Sequence, residues 1–364
     1  MNAYKNSTSK RQFAAEGAVH FYSSPPSVLM PADIYTTRKN PQLMLLLETA
    51  NIYVITLRRR IYLENTSLKR VKNKVEGIFL TTAPNGISRI PFAWTISDLM
   101  DDEYVVAAHV MDSCTHIHVQ TNQRAFRTPS HIILAQGISE LPRKQRDLQV
   151  VYVGQGQGRT KRRNAVQRLI NHNTLQRIMA DILKFAPEFE LLLLLYRFEH
   201  GGSFVSTGGD LTLEPLATGE EEKEHLARLR DAKLPRKIIV TLAETALIRY
   251  FRPQYNELIK NAEFESGKLK VLKAVLETGM SGLIVEASST SAGGRLYSEH
   301  VEPTELSELF SEDVLTGKNL RTESDRAKWA EELHLMAHTI YAQFSLASTK
   351  RRNNFLHGMH WNNP

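Results

Sequence analysis

The stretch Asp147–His172, DLQVVYVGQGQGRTKRRNAVQRLINH, limits the fold more than any other part of the chain. Leu148–Gly154 is apolar and rich in valine, which predicts a buried strand. Such a strand needs paired neighbours and apolar cover on its faces. Gly154, Gly156 and Gly158 then let the backbone turn close to another group. A burst of positive charge follows (Arg159, Lys161, Arg162, Arg163), and a helical pattern begins at Asn164.

Between Leu141 and Arg177 nine basic residues face one acid, Asp147, a local net of +8 against +7 for the whole chain. The remainder is therefore close to neutral. So local an excess points to a polyanion at one place, with nucleic acid first among the classes it fits. Arg159, Lys161, Arg162 and Arg163 are the candidate phosphate contacts, giving affinity without base specificity.

The 364 residues suffice for two or three domains. No run approaches the roughly 18 apolar residues of a membrane helix, and the first residues lack the apolar centre of a signal peptide. With a single cysteine, Cys114, no internal disulfide can form. The expected setting is a reducing cytoplasm, with no membrane partner.

Periodicity predicts a loose arm over 1–40, a β-rich N-terminal domain over 41–128 and a core domain over 129–262 carrying an insertion at about 200–235. A mixed α+β and helical C-terminal region over 263–364 completes the chain. The core domain is to hold strands at His131–Gln136, Leu148–Gly154 and Phe189–His200, with helices between and after them. Further along, Lys237–Phe251 reads as a helix stopped by Pro253, Gly282–Ala287 as a strand pairing Gly294–Tyr297, and Asp325–Leu346 as one long amphipathic helix. His116 and His118 share a strand face without a nearby third ligand, the pattern of ordinary strand histidines.

Within the helix ending at Phe251, Glu244 shares a face with Leu247, Ile248 and Phe251. A carboxylate on an apolar face is costly unless a cation, a donor cluster or a metal meets it. Read together, Tyr152-Val153-Gly154, Arg168, His172, Glu244 and Asn256 (within Pro253-Gln254-Tyr255-Asn256) occur in an order that resembles the GIY-YIG nuclease family over about residues 131–260. Tyr152-Val153-Gly154 matches the family's second triplet. At the place of the first, about a dozen residues upstream, stands Gly137-Ile138-Ser139, with serine where the family carries tyrosine.

The resemblance implies an α+β fold: a small mixed or antiparallel sheet flanked by helices, here with a β-rich N-terminal domain and an α+β C-terminal extension. It implies a catalytic set of Tyr152, Arg168, His172, Glu244 and Asn256, with one Mg²⁺ or Mn²⁺ on Glu244. Arg168 would brace the scissile phosphate, His172 would donate to it or orient water, and Tyr152 would take the water's proton. The activity implied is a metal-dependent DNA endonuclease, as in restriction or anti-phage defence. Partners implied are DNA or RNA, a second copy of the chain, or a larger defence complex. Alternatives are an RNA-cleaving member and, given Ser139, a nucleic-acid-binding module that has lost turnover.

Overall fold

The computed structural model describes residues 12–83, 86–156, 165–206, 214–256 and 270–346. The candidate phosphate contacts Arg159, Lys161, Arg162 and Arg163 lie outside them. The fold is α+β, built from four sheets and the helices packed on them.

The first sheet combines β2 (Ser27–Leu29), β3 (Ile52–Arg59), β12 (Leu148–Gln155), β13 (Phe189–Tyr196) and β16 (Leu296–Tyr297) in the order β16-β12-β3-β13-β2. All its pairings are antiparallel except β12 with β16. The leucine run of β13 is apolar on both faces because both are covered: Leu192 and Leu194 enter one core, Leu191, Leu193 and Leu195 the other. On the second of these faces lie α1 (Asp33–Lys39), α2 (Pro41–Leu46), α5 (Ala165–Leu169) and α6 (Asn173–Phe185).

The opposite face packs on α8 (Arg236–Phe251), which is apolar almost all round. It can be so because a second sheet covers its other side. That sheet is β1 (Glu16–Ser23), β14 (Phe198–Ser206), β15 (Met280–Ser288) and β17 (Thr339–Ser345), in the order β14-β1-β15-β17. The helices α7 (Gly219–Asp231) and α9 (Lys270–Glu277) flank it, contributing Leu229, Leu272 and Val275 to the shared core.

Between β3 and β12 the chain leaves the first sheet and builds a unit with its own core. This unit holds β4 (Ile61–Leu63), β5 (Lys69–Val71), β6 (Lys74–Ala83), β7 (Gly86–Thr95) and β11 (Ile138–Ser139) in one sheet. A three-stranded sheet of β8 (Val105–Val110), β9 (His116–Thr121) and β10 (Ala125–Pro129) faces it, with α3 (Ser130–Gln136) against both. The short α4 (Arg143–Arg146) leads back into β12. After β16 the chain forms α10 (Leu306–Leu309), α11 (Glu312–Leu315) and α12 (Glu323–Ala337), then re-enters the second sheet as β17.

Several expectations are corrected. The segment 131–136 is helix α3, not a strand: Pro129 precedes it, Gly137 follows it, and seven mostly apolar residues fit either period. Residues 325–346 are not one helix. At Thr339-Ile340-Tyr341 the chain turns β-branched and aromatic, and Ile340, Ala342 and Phe344 alternate into the core as β17. Leu296–Tyr297 pairs with β12 rather than with the strand at 282–287. The sheets also cross the boundaries at 40, 128 and 262: β1 is an inner strand of the second sheet, β3 the central strand of the first, and β14 pairs with β1. Among the described residues no helix is long and apolar enough to cross a membrane.

Candidate active site

The site forms at the C-terminal end of β12, and a fault in the strand's alternation makes it. Opposite β3 the register shifts between Val150 and Tyr152, so Val151 is an extra residue. Val150 and Val153 point into the α8 core, while Val151 and Tyr152 both face the α5/α6 side. Without the bulge Tyr152 would turn toward α8; with it, the ring comes to the face that carries Tyr53 of β3. The two rings lie 6.1 Å apart, centroid to centroid.

The outer edge of this bulge is held by the segment after α8. Tyr255 N–H donates to the Val151 carbonyl at 3.1 Å. The Asn256 amide does for Val153 what a paired strand would do: Oδ1 accepts from its N–H at 2.9 Å and Nδ2 donates to its carbonyl at 2.8 Å. Tyr255 also donates its hydroxyl to Asp181 on α6 at 2.9 Å, tying that helix to the same edge. Asn256 is thus a buried clamp on backbone.

Gly154 has a definite reason to be glycine. It stands opposite Tyr53, and a Cβ there would meet the Tyr53 hydroxyl at 2.5 Å and the Tyr152 ring at 2.8 Å. Tyr53 is 1% exposed and cannot swing away. The glycine is where the first phenol rests.

His172 does not continue the helix of Arg168. Leu169 ends α5, and His172 caps α6, accepting the Leu175 N–H on Nδ1 at 3.2 Å. Burial, then Arg168, hold its pKa down to about 4, so the ring is neutral at pH 7. With Nδ1 accepting, Nε2 carries the proton and donates to the Tyr53 oxygen at 3.2 Å. Both ring nitrogens of His172 thus have partners within the protein.

Arg168, on the exposed side of α5, reaches the Tyr53 phenol with its guanidinium. Tyr53 in turn directs its proton to Tyr152. Burial, then the neighbouring Tyr152, push the Tyr53 phenol far above its ordinary value, against the pull of Arg168. Burial, then Glu244, push Tyr152 up as well. Glu244 comes from α8 and reaches the end of β12, where the Gln155 N–H donates to its carboxylate. Burial raises its pKa to about 7 despite Gln155 and Arg168. No lysine or arginine forms an ion pair with it among the described residues.

The structure therefore brings together Tyr152, Arg168, His172 and Glu244, with Asn256 supporting the strand behind them. It adds Tyr53. The expected first triplet, Gly137-Ile138-Ser139, is elsewhere: Gly137 ends α3, and Ile138 and Ser139 pair with β7 in the inserted unit, Ile138 being 81% exposed. Tyr53, the last residue of Asn51-Ile52-Tyr53, stands opposite Gly154 instead, and Val54 and Ile55 face Val153 and Tyr152. The signal was there, a tyrosine third in a triplet opening an apolar strand, but residues 60–147 separate it from its partner. His118 rests against His109 with ring centroids 4.7 Å apart. Among the described residues no group of three or more His, Cys, Asp or Glu side chains gathers as a ligand set. Against known proteins, no family model, no curated protein and no solved structure matches the chain.

Proposed function

We propose that the chain is a divalent-cation-dependent endonuclease that hydrolyses DNA phosphodiester bonds with a GIY-YIG-type site. The observation that carries this is the meeting of two phenols, Tyr53 and Tyr152, with Arg168 and the carboxylate of Glu244 at one strand end. Asn51-Ile52-Tyr53 supplies the tyrosine that the family's first triplet carries, in the strand directly paired with Tyr152-Val153-Gly154. The reading as a module without turnover rested on Ser139, and Tyr53 removes its motive.

The residues fit a hard cation. Glu244 is an oxygen donor whose charge burial disfavours and, among the described residues, no ion-pair partner meets, and a single protein carboxylate suits Mg²⁺ or Mn²⁺, which retain several waters. When bound, such a cation neutralises charge on the scissile phosphate and on the departing oxygen. This chain's own residues do the rest. Arg168, an exposed residue whose guanidinium reaches the Tyr53 phenol, braces the phosphate. Tyr152 acts as the phenolate, favoured by the Tyr53 hydroxyl that donates to its oxygen and by Arg168, and becomes a neutral phenol as it takes the proton of the attacking water. His172 holds Tyr53 in place for this.

Incubation of the chain with supercoiled plasmid and Mg²⁺ or Mn²⁺ tests the reading. Wild type is expected to nick or linearise the plasmid, with Glu244→Ala and Arg168→Ala each slower by a factor of about 1,000. Equal cutting by wild type and Glu244→Ala rejects the site. Cutting of single-stranded RNA but not plasmid moves the substrate to RNA.

A further inference from the structure

The basic run of the sequence divides at β12. Arg143 and Arg146 lie in α4 just before the strand, and Tyr152 is four residues past the strand's first residue, about 13 Å along it. The proposed chemistry uses neither arginine. Both line a cleft of about 530 Å³ where the inserted unit meets α10–α12. That size lies within the roughly 300–1,000 Å³ of small-molecule sites, which favour such junctions.

The cleft has the composition of a ligand site. Leu134 and Ala135 of α3 form one apolar wall, and Leu306, Leu315, Leu333 and Ala337 form the other. Its floor is rigid: a Cβ on Gly293 would meet Ala135 at 2.7 Å, and one on Gly294 the Arg146 carbonyl at 2.0 Å. Asp147, Arg295 and Glu305 also line it but are engaged with one another at 2.7 Å. Arg146 is held by backbone and serine oxygens, with Nε on the Leu141 carbonyl at 2.9 Å and Nη2 on Ser139 Oγ at 3.0 Å. Neither Arg143 nor Arg146 pairs with a carboxylate among the described residues, so the lining is net positive.

A second observation concerns α12. It runs for 15 residues and buries none of them, although Ala330, Leu333 and Ala337 point into the cleft. On the same wall the rings of His334 and His338 lie 4.0 Å apart, tilted 38° to one another, and offer aromatic faces to the cleft. An apolar and aromatic helix face left against open space, beside two uncompensated arginines, asks for a flat ring that carries an anion.

We propose that this cleft binds a phosphomonoester attached to a planar ring, the chemistry of a nucleoside monophosphate. The phosphate meets the guanidinium fork of Arg143 at the rim, and Arg146, its Nε and Nη2 already engaged, adds charge and its Nη1 donors. The ring fills the space between α3 and α12 against the two histidines. Free nucleotides and the phosphorylated end of a nucleic-acid strand share this chemistry. The site is separate from the nuclease reading and does not depend on it.

Titration calorimetry on the whole chain tests the proposal, with the four ribonucleoside 5′-monophosphates, adenosine, orthophosphate and a 5′-phosphorylated trinucleotide as probes. The expected result is one saturable site for at least one monophosphate, with adenosine and orthophosphate at least tenfold weaker. Tighter binding of the trinucleotide assigns the site to strand ends, and weaker binding assigns it to free nucleotide. Arg143→Glu and Ala330→Trp, both at exposed positions, are each expected to weaken binding at least tenfold, and Glu244→Gln to leave it unchanged. No saturable binding of any monophosphate overturns the proposal. So does binding that survives both cleft substitutions, or binding lost in Glu244→Gln.

Discussion

Two carboxylates sit at the two ends of β12, and they are treated in opposite ways. Asp147, 4% exposed, takes the Arg295 guanidinium on both oxygens, at 3.0 and 2.7 Å, and the Arg295 backbone N–H at 3.1 Å. Glu244, at the other end, has one backbone N–H and the more distant field of Arg168, and burial lifts its pKa to about 7. A buried charge that is fully met holds a fold together, while one left short of partners is held ready for something else. On the proposed reading, the contrast sets a structural acid beside a functional one.

The contrast is broken most forcefully by removing each acid in turn. Asp147→Ala leaves a buried guanidinium short of its main partner and is expected to lower unfolding free energy by about 3–5 kcal/mol in a urea titration. A loss below about 1 kcal/mol would mean that Asp147 is no strut. Tyr53→Phe keeps the ring but removes the hydroxyl that links His172 and Arg168 to Tyr152. Cutting is expected to fall by a factor of about 100 or more, roughly 3 kcal/mol of barrier, with thermal stability little changed. Unchanged cutting would remove Tyr53 from the chemistry.

Smaller effects sharpen the picture. Asn256→Ala strips the buried Val153 amide and carbonyl of their outer partners and is expected to cost about 1–3 kcal/mol of stability. Cutting should fall with it, since the bulge that aims Tyr152 loses its clamp; a stable, fully active variant would contradict that role. Glu244→Gln should act in the opposite sense to Asp147→Ala. Folding raises the Glu244 pKa from 4.5 to about 7, so wild type loses stability as pH rises through that window. The glutamine variant has no such loss. Without divalent cation at pH 8.5 it should therefore be more stable than wild type by about 1–3 kcal/mol, discounted for partial exposure, and equal to it below pH 4.5. A variant less stable than wild type at pH 8.5 would show that the carboxylate was well met after all.

Much of this was legible in the sequence, for reasons that are local. The valine-rich run of β12, the leucines of β13 and the all-apolar α8 announce themselves by composition and period. Glu244 is marked as unusual by its place on an apolar helix face. What the sequence hid is long-range or depends on a single residue's geometry. Tyr53 and Tyr152 are neighbours only because the chain inserts a complete unit with its own core between two strands of one sheet. Arg168 and His172 at i, i+4 suggest one helix face, but Ile170 and Asn171 break the helix between them. The bulge at Val151 shows in no local pattern, because valines on either side satisfy both faces. At β17, Ile340 and Phe344 continue the helical spacing of Trp329, Leu333 and Met336, so one apolar stripe served two elements.

The most direct measurement is a Mn²⁺ titration of wild type and Glu244→Gln across pH 5.5–8.5, read by calorimetry. The account predicts one Mn²⁺ bound by wild type, with affinity climbing as pH passes about 7 and the carboxyl gives up its proton, and none bound by the variant. Equal binding by both proteins, or affinity indifferent to pH, would contradict it.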